Sequence, residues 1–356
     1  MRRFIGLIAM LLAADGWAGA SMTSAPLVST EPLERIAFGS CAHPRRDTSV
    51  FHTIAEQQPD LFLLIGDNVY ADDEKDDPEL ASLKLAYKTL ADSVHFARLR
   101  ETAPLLVSWD DHDYGLNDAG GDWPHKHTSQ ALFVEAWGVA ANDERRSREG
   151  IYHSRMIGPE GKRVQVILLD TRFFRSALRT GEPGQAFGPY RPDSADDKTL
   201  LGEDQWRWLA EELAKPAELR IIASSIQIIA EGHNWEAWNL FPQERQRLYD
   251  LIEERGANGV VFVSGDRHMA GIYQAADAGS YPLWEITSSS LNLPLSSFVS
   301  DIKTEPGPRR LGAPYYEANF GMLEVDWDER RVILQVRDDQ NRTVRATSIS
   351  LQALTP

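Results

Sequence analysis

Residues 61–70 read LFLLIGDNVY: five apolar side chains run directly into glycine, aspartate, asparagine, valine and tyrosine. An unbroken apolar run of this length reads as a strand buried on both faces, as in a parallel sheet covered on each side. A carboxylate (Asp67) and a phenol (Tyr70) then stand where the strand's carboxyl end opens. The pattern recurs along the chain. Ile36 to Phe38 leads into Gly39-Ser40-Cys41, Leu105 to Val107 into Ser108-Trp109-Asp110-Asp111-His112-Asp113, and Val260 to Val263 into Ser264-Gly265-Asp266-Arg267-His268. In open α/β sheets the carboxyl ends of strands line a common crevice where ligands bind. Carboxylates gathered there without matching Lys or Arg repel one another and resist ionisation, and a bound cation removes that penalty. The convergence points to a metal centre. Taken singly, each piece has an ordinary structural reading: a buried packing cysteine, an aspartate capping a turn, a surface Asp–Arg pair, a core histidine or tyrosine.

The rest of the chain fits α/β layers. Val164 to Leu169 and Ile221 to Ala223 read as further buried strands. Trp206, Leu209 and Leu213 share one helical face, as do Leu248, Leu251 and Ile252 after Pro242, and Thr128 is placed to cap a helix carrying Leu132, Phe133, Ala136 and Trp137. Alternating strand and helix mean a mostly buried sheet. The tail differs: Tyr281–Thr287, Phe320–Trp327, Arg331–Val336 and Thr343–Leu351 look like meandering strands. Residues 71–79 and 176–202 form long polar loops of the kind that serve sites.

Composition limits what such a site can serve. The chain has 356 residues with 37 basic and 53 acidic side chains, a formal net of −16, which excludes a general nucleic-acid backbone binder. One cysteine excludes a disulfide scaffold or a four-cysteine zinc site. Residues 1–20 have the anatomy of a secretory signal peptide: Arg2 and Arg3, an apolar run from Phe4 to Ala14, then Ala18-Gly19-Ala20 before Ser21. Asp15 interrupts that run too soon for a membrane span. Its removal leaves 35 basic and 52 acidic side chains, a net of −17. The expectation is an exported protein, periplasmic or secreted, with no transmembrane anchor. Residues 21–34 read as a polar leader and 35–356 as one catalytic domain. A lone thiol in an oxidising compartment needs protection, and a bond to metal would supply it.

The runs FGSC (38–41), GDNVYAD (66–72), WDDHDYG (109–115), LLDTRFFR (168–175) and SGDRH (264–268) resemble those of PhoD-like alkaline phosphatases, within the calcineurin-like metallophosphoesterases. The likeness runs over about residues 35–290. It implies a four-layer α/β/β/α sandwich with two central sheets, and with nothing before Arg35 to form an extra β-domain, the catalytic domain only. It also implies a mixed centre of Fe(3+) and Ca(2+). By that resemblance Asp67 bridges the metals and Cys41, Tyr70 and His268 complete the iron site. Asp266 stands where the superfamily has the first His of its Gly-His-x-His motif, Asp111 and His112 where it has Asn-His, and Asn117 where relatives carry an asparagine. Which of Asp110 and Asp111 touches metal stays open. The ligand chemistry agrees: thiolate and phenolate suit a ferric ion, carboxylate and amide oxygens suit calcium. One departure concerns the strand Ile221–Ala223, which leads to Ser224-Ser225-Ile226-Gln227 where many relatives present a histidine; His233 and Asn234 lie beyond it.

The activity expected is hydrolysis of phosphate monoesters or diesters by a metal-activated hydroxide. His112 is the candidate for protonating the leaving oxygen, and Arg172 either holds a phosphate oxygen or ties a buried carboxylate such as Asp170. Small esters are the expected substrates, not nucleic acid. Two rivals remain: a secreted calcium-dependent binding protein without hydrolase activity, and the same fold acting as a phospholipase or nucleotide hydrolase.

Overall fold

A computed structural model of the chain describes residues 21–71 and 76–356. The expected export signal and the acidic centre of the 71–79 loop lie outside the described residues. The chain opens with β1 (Arg35–Gly39), β2 (Leu61–Ile65) and β3 (Leu105–Ser108). It continues through β4 (His153–Ile157), β5 (Val164–Leu168), β6 (Leu219–Ser224), β7 (Val260–Ser264), β8 (Ala270–Ala275) and β9 (Leu283–Ser288). An antiparallel meander closes it: β10 (Asn319–Asp326), β11 (Arg331–Asp338) and β12 (Thr343–Ser350).

These strands form two six-stranded mixed sheets, ordered β12-β11-β10-β1-β2-β3 and β4-β5-β6-β7-β9-β8. β1, β2 and β3 run parallel in the first, and β5, β6, β7 and β9 in the second. Seven strands thus present carboxyl ends. The apolar run of β2 shows why it has no polar face. Leu61, Leu63 and Ile65 enter the core shared with the second sheet, while Phe62 and Leu64 point the other way, into the core under the helices. Covering that outer face are α1 (Ser49–Glu56), α2 (Ala81–Ala91) and α3 (Val94–Thr102). The short α4 (Asp111–Tyr114) and then α5 (Lys126–Ala136) complete this side. The second sheet is covered by α6 (Gly202–Leu213) and α7 (Pro242–Glu254), through Trp206, Leu209, Leu213, Leu248 and Ile252. Helices, sheet, sheet, helices is the four-layer order the resemblance implied.

Several local expectations shift. α5 starts at Lys126, after Pro124 and an N-cap at His125, so Thr128 lies in its first turn and caps nothing. β9 pairs in parallel with β7 and is not part of the meander. β4 and β8, both at sheet edges, escape sequence reading because HSRMI and AGIYQA lack a continuous apolar run. Residues 21–34 carry no helix or strand, yet they are fastened down: Met22 and Leu33 are buried, and the Met22 and Ala25 amides donate to the carbonyls of Ala136 and Arg100. Among the described residues no helix is long and apolar enough to cross a membrane.

The centre of the first sheet depends on one close fit. Gly321 of β10 faces Phe38 of β1, and a Cβ there would lie 2.0 Å from the Phe38 ring. Gly321→Ala should therefore destabilise the fold by about 2 kcal/mol or more through overpacking. Urea unfolding checks this, and Phe38→Leu in the same chain should recover part of the loss.

Candidate metal centre

Three of the seven turns that leave parallel strands are bent by residues in the left-handed region. Cys41 (φ 58°) follows β1, Asp67 (φ 50°) follows β2, and Asp266 (φ 68°) and His268 (φ 52°) follow β7. For non-glycine residues such backbone costs of order 1–3 kcal/mol each, and it clusters where side chains must be aimed. Gly66 makes the crowding possible: with φ at 122°, a Cβ there would lie 2.5 Å from that of Asp110.

Asp113, which sequence reading did not single out as a site residue, locks these turns together. Its carboxylate accepts from the backbone N–H groups of Asp67 (3.2 Å), Asn68 (3.3 Å) and Asp110 (2.6 Å), and from the Asn68 amide (2.6 Å). Asp170, after β5, accepts from the Trp109 indole (2.9 Å) and the backbone of Ile151 and Arg172 (both 2.9 Å). Ser289, after β9, lies 3.2 Å from the Cys41 sulfur and accepts from the His268 backbone at 2.9 Å.

So held, the expected ligands meet. Donor atoms of Cys41, Asp67 and His268 lie within 4.8 Å of one another, as do those of Asp67, Asp111 and His112, and of Asp110, Asp111 and Asp266. Asp67 belongs to two of these groups, as does Asp111, which forms a further one with Asp118 and Glu236. The Tyr70 hydroxyl donates to Asp67 Oδ2 at 3.1 Å, and the Cys41 sulfur lies 3.5 Å from the same oxygen. His268 Nδ1 sits 2.6 Å from the Leu293 carbonyl, which fixes that nitrogen as the N–H donor and leaves Nε2 with its lone pair. Asn117 is exposed and lines the cavity over the centre, its amide donating to Asp118 at 2.9 Å.

The charges are arranged as a cation site requires. Burial pushes the Cys41 thiol up to about 11. Burial, then the neighbouring Asp111, raises Asp67 well above the carboxylate range, and burial with Asp110 does the same to Asp266. Asp110 rises to about 8 through burial, although Arg172 opposes the shift. Burial also works against Asp111, but His112, Arg172 and the Asp118 backbone N–H (2.7 Å) outweigh it and hold this carboxyl low. Burial lowers His268 to about 4, so its imidazole is neutral at neutral pH. Asp110 Oδ1 is occupied by Arg172 Nε and Ser225 Oγ, both at 2.6 Å, while its buried Oδ2 has no hydrogen-bond partner. An orphaned carboxylate oxygen among three acids, beside a thiol, a phenol and a neutral imidazole, fits a bound cation.

Of the two readings of Arg172, the structure favours the tie to buried carboxylates over the phosphate contact. Arg172 is fully buried, with Nη1 on Glu236 (2.7 Å) and Nε on Asp110, and its guanidinium does not line the cavity. It ties carboxylates, though Asp110 and Glu236 instead of Asp170. Glu236 is further held by Arg175 at 2.9 Å. His233 and Asn234 do not line the cavity either: His233 Nδ1 accepts from the Trp235 backbone (3.1 Å) and the Asn234 carbonyl from that of Tyr190 (3.1 Å). Just after β6, Ser225 donates to Asp110. Sequence reading missed Asp118, Glu236 and Arg267, all of which line the cavity. Arg267 lay in plain view between two expected ligands, whereas Glu236 gave no signal beyond the neighbouring tryptophans. The cavity measures about 540 Å³ and also reaches Asp111, His112, Asp266 and His268.

Known proteins share this architecture. The structure of PhoD superposes with a TM-score of 0.68 at 17% identity, covering 91% of this chain and 74% of that one. A purple acid phosphatase from yellow lupin (Lupinus luteus) seeds gives 0.59 at 11% identity, over 91% and 55% of the two chains. A dimetal phosphatase from Danio rerio gives 0.56 at 12% identity, over 90% and 100%. In sequence, alkaline phosphatase D of Bacillus subtilis (strain 168) is 25% identical over 183 residues, 46% of this chain and 31% of that protein, so the match spans about a third of the relative's length. The family model for PhoD-like phosphatases matches residues 36–332, which takes in every candidate ligand, and the chain belongs to that family.

Proposed function

We propose that this protein is an exported metal-dependent phosphoesterase acting on small phosphate monoesters or diesters. The observation that carries the reading is Asp67, whose carboxylate lies in one group with the donors of Cys41 and His268 and in a second with that of Asp111, four strand ends in all, an arrangement suited to a carboxylate shared by two cations. Cys41, Tyr70 and His268 would hold a ferric ion beside Asp67, and Asp110, Asp111, Asp266 and the Asn117 amide offer oxygens suited to calcium. Cations bound there would supply positive charge to the phosphoryl oxygens and acidify a water near neutral pH.

The chain's own groups do the rest. His112 lines the cavity with its ring 4.3 Å from that of Tyr70, which in turn stacks on His43 at 5.2 Å. This places an imidazole where it can hold the proton that the leaving oxygen takes. Arg267, which lines the cavity, takes the phosphate-binding role first given to Arg172. Arg172 becomes a positioning residue that aims Asp110. The excess of acidic side chains disfavours polyanions at long range, and salt confines that repulsion to about 8 Å, so small esters are favoured over DNA.

Removing the imidazole in His112→Ala should lower kcat by about 10²–10⁴-fold with metal content unchanged by elemental analysis. Loss of metal in that variant would make His112 a ligand instead. A second test uses pH. The protonated carboxyls support the cation-free fold fully near pH 4, and that support is lost as the pH rises through about 8, the value for Asp110. Cations bind the ionised forms and displace those protons. The Tm gained on adding calcium to chelator-treated protein should therefore be larger at about pH 9 than at about pH 5; equal gains would count against the site.

A further inference from the structure

The cavity has two unlike ends. One is the cluster of acids and imidazoles just described, and the other is apolar, lined by Phe187, Trp235, Leu295, Phe298, Val299 and Ile302. Among the described residues, Trp235 (42% exposed) and Phe298 (53%) are the exposed large aromatics, and both line this cavity. They come from separate segments, one after β6 and one after β9. Each is attached to the centre: the Phe298 ring meets the His268 imidazole edge-on at 5.2 Å, and the Arg267 guanidinium lies over Trp235 at 5.4 Å. Arg267 is itself paired with Glu305, and Asp301 and Lys303 also line the cavity.

Two water-exposed rings facing one cavity lose that exposure when an apolar group lies between them. A phosphate held at the acidic end places the organic part of its ester against this wall. Resting on the phosphoesterase reading, we propose that Trp235 and Phe298 are specificity-determining residues that select phosphate esters of apolar alcohols over those of sugars or polyols.

The test is a series of n-alkyl phosphates (ethyl, butyl, hexyl), whose leaving groups differ little in reactivity. A methylene fully buried on such a wall raises kcat/KM up to about fourfold. From ethyl to hexyl the rise should reach at least about tenfold, and glycerol phosphate should fall below hexyl phosphate. In Trp235→Ser with Phe298→Ser the dependence on chain length should flatten, mainly through KM. Calorimetry with the non-hydrolysable ethylphosphonate and hexylphosphonate reads the wall without turnover, and hexylphosphonate should bind more tightly. No gain in kcat/KM or in affinity with chain length would overturn the wall while leaving the phosphoesterase reading intact. If no ester is turned over, that reading fails, and the phosphonate affinities decide the wall by themselves.

Discussion

The structure turns on a crowding of like charge. Asp67, Asp110 and Asp111 are buried and Asp266 is partly buried at one rim, beside a buried thiol and a phenol, with the fully buried Arg172 paired to Asp110. An ionised carboxylate taken out of water without a partner costs far more than a domain's whole stability margin. Without cations the protein answers by holding protons on these groups, which is why Asp67, Asp110 and Asp266 shift upward. Cations relieve the same constraint and turn the repulsion into affinity.

Around that rim lies a frame of ion pairs whose shared acid, Glu236, also lines the cavity. Arg172 joins Asp110 to Glu236, and Arg175 joins Glu236 to the segment carrying Asp118, whose carbonyl it contacts. Deleting one member of such a network would strand a buried charge. The frame fixes the turns after β3, β5 and β6 relative to one another, so the donor groups meet already oriented. The tyrosine and histidine rings packed over them extend that order toward the cavity.

Much of this was legible in the sequence because two signals coincide. Runs such as Leu61–Ile65 are apolar on both faces, which identifies buried parallel strands, and the residues that follow them are therefore at carboxyl ends. The family resemblance then supplied the two-sheet sandwich. Edge strands β4 and β8 were not legible, since their mixed polarity gives no period. Arg172 kept two readings because an arginine after a strand can turn toward a ligand or toward buried acids, and only the fold reveals Glu236 within its reach. Arg267, Trp235 and Phe298 come together from β7 and from loops distant in sequence, so no spacing could announce their shared cavity.

In the function proposed above, Asp67 would be shared by two cations of different kind. Elemental analysis and the visible spectrum of the purified protein, set beside Asp67→Asn, test it most directly. The account expects iron and calcium together with a visible absorption band from thiolate or phenolate on iron, and loss of both metals and the band in the variant. A colourless, iron-free protein with phosphoesterase activity, or an Asp67→Asn variant that keeps both metals, would contradict it.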